Sequence, residues 1–445
     1  MRGVRLRVGF LTLLAIVLVG WMARPAVAAA GDLDPTFGDN GKVTTGQIGV
    51  DILKGIADIA LQPDGKIVAV GTATSPQGDE WYFALVRYKT DGRVDGSFGQ
   101  GGGVVTDIGE HAFGHAVAIQ TDGKIVAGGH APCPPYGIDC MTLVRYNVDG
   151  SVDKTFGTAG IARAKLGFCG CEVNDLAIQP DGKIVAAGWR FKGDDANNDD
   201  WFAVARFNSD GSLDQTFGTK GKLALSFGYG DDFAWGVALQ PDGKIVVAGE
   251  GAKNFYATGS DIAVARLNTD GSLDPTFWRK GMRTVNISGD RWDGAYGVAI
   301  QADGKIVAAG FSYADFAASD PQFVATRLNP DGSLDAGFGH RGRVVTAVGG
   351  FGGYAGAVAV YPGGKILAAG RSFVDDTQDS SDFVLVRYTS DGRPDPTFGG
   401  DGTVITSFGT GADVANALAV QADGKMLAAG EVYARFGLAR YLGDI

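Results

Sequence analysis

Two short apolar runs, split by a polar turn, recur along this chain at a near-constant interval. In one copy Leu176-Ala177-Ile178 leads into Gln179-Pro180-Asp181-Gly182-Lys183, and Ile184-Val185-Ala186-Ala187 follows. Continuously apolar runs of this length read as strands covered on both faces rather than amphipathic ones. The Asp-Gly between them is a hairpin signal, which predicts a type I′ turn with positive φ at both central residues. Two more extended segments complete the copy, one just after Gly160 and one over Phe202–Phe207. The turn lysines Lys66, Lys124, Lys183, Lys244, Lys305, Lys365 and Lys425 lie 58, 59, 61, 61, 60 and 60 residues apart. A second motif, DGSLDxTFG, keeps the same interval, with its phenylalanine at Phe37, Phe98, Phe156, Phe217, Phe277, Phe338 and Phe398. A fixed period of this length marks a repeat architecture, in which each unit buries its apolar faces only against its neighbours.

Four short antiparallel strands per unit, stacked on both faces, predict an all-β fold: a seven-bladed β-propeller with four strands per blade. A solenoid is the alternative for any repeat, but its coils run shorter and need no hairpin at every turn. The last unit stops at Ala439–Asp444 without its DGSLDxTFG half, and Gly31–Gly38 is that missing half. The two ends are therefore expected side by side, completing one unit jointly. The signature DGSLDxTFG, then QPDGKIVxAG, then VARY resembles the delta-60 repeat, a family of bacterial, often secreted repeats assigned to β-propellers. The resemblance runs from Gly31 to Asp444 and implies the fold but no particular activity. Trp278 departs from it where glycine otherwise follows the phenylalanine, and Gly337 departs where threonine is usual.

Residues 1–28 read as a secretory signal peptide: Arg2, Arg5 and Arg7, an apolar run over Val8–Gly20, and the small residues Ala26-Val27-Ala28. The run is short for a bilayer span, which takes about 20 residues; a retained anchor is the alternative. Residues 29–445 then form a single propeller domain, secreted or held in the periplasm or at the cell surface. Removing the signal segment leaves 35 Lys and Arg against 50 Asp and Glu. A surface this acidic repels nucleic acid and anionic membrane, which excludes both as partners and favours a soluble monomer.

Several charges repeat in every unit. Arg87, Arg145, Arg206, Arg266, Arg327, Arg387 and Arg440 recur near the end of the fourth segment. Asp34, Asp95, Asp153, Asp214, Asp274, Asp335 and Asp395 recur within the long motif. A catalytic group is not needed seven times around a ring, whereas a charge-assisted hydrogen bond holding each turn is needed every time. We expect Arg206 to reach Asp153 or Asp214. The run NxDGxxD at Asn147, Asn208, Asn268 and Asn329 partly matches a calcium loop but lacks its bidentate glutamate, and Asx-turn chemistry explains the same residues.

Successive loops of an antiparallel blade alternate between the two faces of a ring, so the near-constant turns share one face and the varying loops the other. Binding in a repeat protein usually belongs to varying loops on a rigid frame. Two series differ from unit to unit. One follows the third segment: Thr72, His130, Trp189, Glu250, Phe311, Arg371 and Glu431. The other lies five residues before the turn glutamine: Ala57, His115, Asn174, Trp235, Tyr296, Gly356 and Asn416. Trp81, Trp201 and Trp292 fall beside them, among acids such as Asp194, Asp195, Asp231, Asp232, Asp375 and Asp376. Aromatics in that company suit stacking on sugars or gripping a cationic peptide, the alternative being that they only cover blade ends. The candidate ligand-binding residues are Trp189, Trp235, Glu250, Tyr296, Phe311, Arg371, Glu431, His130 and His115.

His111, His115 and His130 gather in unit two with Cys133 and Cys140, while Cys169 and Cys171 lie in the next varying loop. These residues permit a soft metal site, yet His111 and His115 on an extended strand stand about 13 Å apart. Four cysteines in an exported chain point to two disulfides instead. The close spacing of Cys169 and Cys171 favours cross-pairing with Cys133 and Cys140, although Cys133 could also close its own loop with Cys140. No GxSxG, HExxH, P-loop or dinucleotide fingerprint is present. The reading is an exported module binding a glycan or peptide, with no cofactor and no resident metal. The alternative is a glycan hydrolase or lyase, with Glu110, His115, His130 and Glu250 as first suspects. A polar axial pocket with a strongly shifted carboxylate or histidine would favour that alternative.

Overall fold

The computed structural model describes residues 28–109, 111–134, 137–167, 170–191, 199–228, 230–252, 259–289, 291–313 and 320–444. The expected signal segment lies outside the described residues except for Ala28.

The chain forms seven antiparallel sheets around one axis, six of four strands and one of five. Blade four is representative, running from axis to rim as Phe233–Leu239, Ile245–Ala252, Ser260–Leu267 and Met282–Val285. The middle two strands are the continuously apolar runs of the sequence, and they are buried almost throughout because neighbouring blades cover both their faces. The core accordingly lies between sheets: one cluster joins Ala116, Val126 and Leu143 of blade two to Val173, Leu176 and Ile184 of blade three. Blade one carries an extra short strand, Gln47–Ile48.

The ring closes as expected. Lys42–Thr45 pairs antiparallel with Arg435–Tyr441, in register from Lys42 opposite Ala439 to Thr45 opposite Phe436. Gly31 N donates to Leu442 O at 3.0 Å and Leu442 N to Asp32 O at 2.8 Å. The two ends of the chain thus build blade seven together.

Two local expectations need correction. The hairpin is a type I turn followed by a left-handed glycine, not type I′. Gly65 N donates to Gln62 O at 2.9 Å, and Gly65 has a φ of 79° while Asp64 does not take positive φ. Pro63 at the second turn position holds φ negative, which type I accepts and type I′ does not. The phase of the repeat also differs: Ile161–Ala164 pairs with Ile138–Tyr146 of the preceding blade. DGSLDxTFG therefore joins the third strand to the rim strand within one sheet, and the varying segment after the rim strand crosses to the next blade. The assignment of faces is unaffected, because each loop still alternates.

Candidate functional site

On the hairpin face the repeated charges hold the turns. The guanidinium of Arg206 donates through Nε to Asp214 Oδ2 at 2.9 Å and lies 4.5 Å from the Phe217 ring. The same pair recurs at 2.8–2.9 Å in Arg87–Asp95, Arg145–Asp153, Arg266–Asp274, Arg327–Asp335, Arg387–Asp395 and Arg440–Asp34. The second aspartate oxygen takes the N–H and hydroxyl of the residue two places on, as Asp153 does with Thr155 at 3.1 and 2.6 Å. Each arginine also reaches across to a neighbouring blade, as Arg87 does to Val148 O and Arg327 to Ser390 O, both at 2.6 Å. In the NxDGxxD turns Asp149 Oδ1 accepts from Ser151 N at 2.9 Å and Ser151 Oγ at 2.7 Å, which is Asx-turn bonding.

The other end of the axis is built by a repeated irregularity. Every inner strand carries a break in register near its middle, between Gly114 and Ala116, Val173 and Asp175, Ala234 and Gly236, Ala295 and Gly297, Ala355 and Ala357, Ala415 and Ala417, and Ile56 and Asp58. A bulge leaves one residue unpaired and re-aims its side chain. The residues so released are Ala57, His115, Asn174, Trp235, Tyr296, Gly356 and Asn416, one whole series from the sequence. With Tyr354 they line an axial cavity of about 350 Å³. The two asparagines brace it: Asn174 Nδ2 donates to Ala234 O at 2.8 Å and Asn416 Nδ2 to Ile56 O at 2.9 Å, each one blade on. Directly after two bulges stand Asp58 and Asp175, whose Oδ2 atoms accept from Val117 N at 2.8 Å and Val237 N at 2.7 Å. Burial pushes Asp58 up to about 6 and Asp175 up to about 8, the second helped by the charge of the first.

The second series forms the rim of this cup, one strand outward. Trp235 Nε1 donates to Glu250 Oε1 at 3.0 Å, and burial raises the Glu250 carboxyl to about 7. Trp235 meets Tyr296 at 5.4 Å between ring centres, and Tyr296 meets Phe311 at 5.3 Å and Tyr354 at 5.7 Å. Arg371 lies 4.4 Å over Tyr354 and 4.9 Å over Phe373. Trp189 contacts Phe233 edge-on at 5.6 Å, and its Nε1 donates to Glu172. Trp81 of blade one stacks on Phe113 of blade two at 5.1 Å, Phe113 on His130 at 4.9 Å, and His115 follows at 5.3 Å from His130. His115 Nε2 stands 3.2 Å from His130 Nδ1, which is 3.1 Å from Glu172 Oε2. Burial lowers the His115 imidazole to about 4.

His115, Trp235 and Tyr296 therefore line the cup, and His130, Glu250, Phe311 and Arg371 touch its wall. Trp189 stands farther round the rim, and Glu431 packs beside Gly55. Thr72 is buried. The sequence reading missed Glu172 and Tyr354, which sit two residues before their bulges, and Asp58 and Asp175, which sit one after. The positions equivalent to Glu172 are Gly55, Phe113, Phe233, Gly294, Tyr354 and Val414, as varied as the two chosen series. Trp292 is 52% exposed. Glu110, Asp194, Asp195 and Cys169 lie outside the described residues.

The expected cross-pairing of cysteines is overturned: Cys133 bonds Cys140, with Cα atoms 5.8 Å apart, and Cys171 is a buried free thiol. The two bonded residues end adjacent strands of one hairpin, Cys133 opposite Ile138 and Cys140 opposite Ala131, so the reach is already within disulfide range. Cys171 Sγ instead faces Ala164 O at 3.5 Å, and burial raises its thiol.

Seven segments, 62–98, 120–156, 179–217, 240–277, 301–338, 362–398 and 421–444, match the sequence model of a family described as "Domain of unknown function (DUF5122) beta-propeller". Together they cover more than half of the chain. No curated protein matches the sequence. Among solved structures, the fold is similar to that of a streptogramin B lyase at 10% identity, covering 90% of this chain and 97% of the other, TM-score 0.49. It is similar to the polysaccharide lyase Uly1 at 10% identity, covering 87% and 89%, TM-score 0.48. A protein from Dyadobacter fermentans matches at 11% identity, covering 93% and 100%, TM-score 0.46.

Proposed function

Because the chain belongs to the DUF5122 beta-propeller family, which is described without a function, we propose from the axial cup itself that this protein is an exported glycan-binding module. The observation that carries the reading is the belt of aromatic rings, from Trp189 through Phe233, Trp235, Tyr296 and Tyr354, around a cavity of about 350 Å³. Ring faces stack on the apolar faces of sugars, while a nearby carboxylate and hydroxyls take sugar hydroxyl protons. The volume suits a chain end of one or two sugar units more than an extended peptide. Export is supported by the sequence of residues 1–28 and by the Cys133–Cys140 bond, which persists in an oxidising compartment. No helix among the described residues is long and apolar enough to cross a membrane. The finer assignment to delta-60 repeats rests on the motif resemblance.

A glycan array followed by calorimetry on the hits tests this reading, with peptides as the competing class. Trp235→Ala and Tyr296→Ala should each weaken capture at least about tenfold, as loss of a stacking anchor does. Binding that survives both substitutions, or hits confined to peptides, would refute it.

Glu250 favours a second reading, a glycan-cleaving enzyme using the same cup. A carboxyl raised to about 7 beside Trp235 is poised to give or take a proton near neutrality. New reducing or unsaturated ends from any captured glycan, abolished by Glu250→Gln, would select this reading over simple binding.

A further inference from the structure

We propose that His115, His130 and Glu172 hold a divalent transition-metal ion of borderline softness, with Zn²⁺ as the reference case, at the wall of the axial cavity. His115 comes from the bulge of blade two, His130 from the second strand of that blade, and Glu172 from the inner strand of blade three. One ligand atom from each lies within 4.8 Å of the other two. Ligands held at about 2.0–2.2 Å from one ion stand roughly 2.8–3.1 Å apart along an octahedral edge and roughly 3.3–3.6 Å apart along a tetrahedral one. The separations of 3.2 Å between the imidazoles and 3.1 Å from His130 to Glu172 fall between these two edge lengths. The third closes with a small rotation of the His115 or Glu172 side chain.

Hydrogen bonding alone serves these atoms poorly. His130 Nδ1 can carry one proton, yet both His115 Nε2 and Glu172 Oε2 approach it. If that proton goes to Glu172, His115 shares it; if His115 donates instead, the carboxylate faces a lone pair. A cation accepts all three lone pairs at once. The surroundings hold the ligands in place, as metal sites require. Trp189 Nε1 donates to the other Glu172 oxygen, and Phe113 stacks on the His130 ring at 4.9 Å. Two imidazoles and one carboxylate suit Zn²⁺ and its late first-row neighbours, not Ca²⁺ or Mg²⁺, which take oxygen ligands. Three protein ligands leave a coordination position open, the mark of a site that meets a ligand rather than one that only braces the fold. Since His115 lines the cup, that position stands where a bound molecule could offer an oxygen.

The inference does not depend on the glycan reading, because the probe is the metal alone. Untagged, chelator-stripped protein is titrated with Zn²⁺ by calorimetry and with Co²⁺ by visible absorption, without any sugar. We expect one ion per chain at micromolar affinity or tighter, and Co²⁺ bands of a low-symmetry site. His115→Gln and His130→Gln should weaken binding at least about 100-fold, and Glu172→Gln about 10–100-fold. Melting curves of each variant check that it folds. No stoichiometric ion on the wild-type protein would overturn the proposal, whatever the variants do. So would an affinity unchanged in all three variants. Glycan capture measured on the stripped protein keeps the two readings separate.

Discussion

Arg145 and Arg327 stand three blades apart on the hairpin face and make the same bonds, to an aspartate eight residues on and to a carbonyl of the next blade. At the opposite end of the axis, the bulge residues of the same two blades are His115 and Tyr296, and among the described residues they share no partner. The backbone repeats equally at both ends; only the use of polar groups differs. On the hairpin face every carboxylate of the arginine pairs has its cation and its turn N–H. Burial alone would raise Asp95, but the Ser97 bonds and the charges of Arg87 and Lys66 pull it down to about 2, and Asp34 and Asp395 behave alike. Around the cup, burial raises Asp58, Asp175 and Glu250, whose hydrogen-bond donors are backbone N–H groups, an indole and a hydroxyl. A repeat can therefore divide labour by face: one end is uniform because every blade needs it, the other is free to vary because only some blades brace a neighbour there, as Asn174 and Asn416 do.

The largest expected effect tests the uniform end. Deleting residues 31–45 removes the rim strand of blade seven together with Asp34, the partner of Arg440 and Lys425. It opens the ring and exposes blade faces to water. Thermal melting followed by circular dichroism should show loss of the cooperative transition or a fall larger than any point substitution gives; an unchanged midpoint would mean that closure contributes nothing.

Next in size is Arg206→Ala, which strands the buried carboxylate of Asp214, with Lys183 at 3.9 Å as a weak substitute. Breaking a buried pair on one side costs about 3–5 kcal/mol. Denaturant unfolding should place the loss in that range, while Trp235→Ala on the cup, half-buried, should cost about half as much or less. Equal losses from the two substitutions would erase the contrast between the faces.

The two ends should also titrate in opposite senses. Carboxylates held below their unfolded value, such as Asp34, Asp95 and Asp395, stabilise the fold above about pH 4 and lose that contribution as pH falls towards 2. Carboxyls held above it do the reverse: the contribution of Glu250 is present below about pH 4.5 and is lost as pH rises through 7. Glu250→Gln should therefore match the wild-type melting temperature near pH 4 and exceed it by a growing margin up to about pH 7, where the margin levels off. A margin independent of pH would show that Glu250 titrates normally.

The smallest effect separates the bracing residues of the cup from the exposed ones. Asn174→Ala removes one hydrogen bond to Ala234 O, worth about 1 kcal/mol. Unfolding should register that loss, and calorimetry should find glycan capture within about twofold of wild type, since the side chain is spent on the next blade. A capture defect as large as that of Trp235→Ala would move Asn174 from the frame to the binding surface.

Much of this was readable from the chain. The period gave the blades, and the missing half-motif at Gly31–Gly38 gave the closure, because a ring leaves no other place for it. The series beginning Ala57 and His115 was found because it keeps a fixed distance from the turn glutamine. The phase of the blades was not readable, since a circular repeat looks the same wherever it is cut. Which sheet Ile161–Ala164 joins is decided by packing, not by pattern. Glu172 and Tyr354 share the cup by ordinary alternation, two places before the bulge residue, and were missed because no pattern in the chain ties that position to the axis rather than to the neighbouring blade. The turn type was legible in Pro63 and was read from Asp-Gly alone. The cysteine partners depended on where two strands end, which sequence spacing gives only loosely.

The pairing of Lys42–Thr45 with Arg435–Tyr441 also sets an order in time. A growing chain makes the first of these strands long before its partner exists, so that strand must wait, unpaired, while six blades assemble behind it. The entropy of joining such distant segments grows only with the logarithm of the loop, so the wait adds little to the final free energy. It adds much to the delay, because contacts of high sequence separation form slowly. Throughout that interval Lys42–Thr45 keeps a bare strand edge, the surface on which chains pair with one another. Latching is thus the step at which a finished ring and an aggregate part ways.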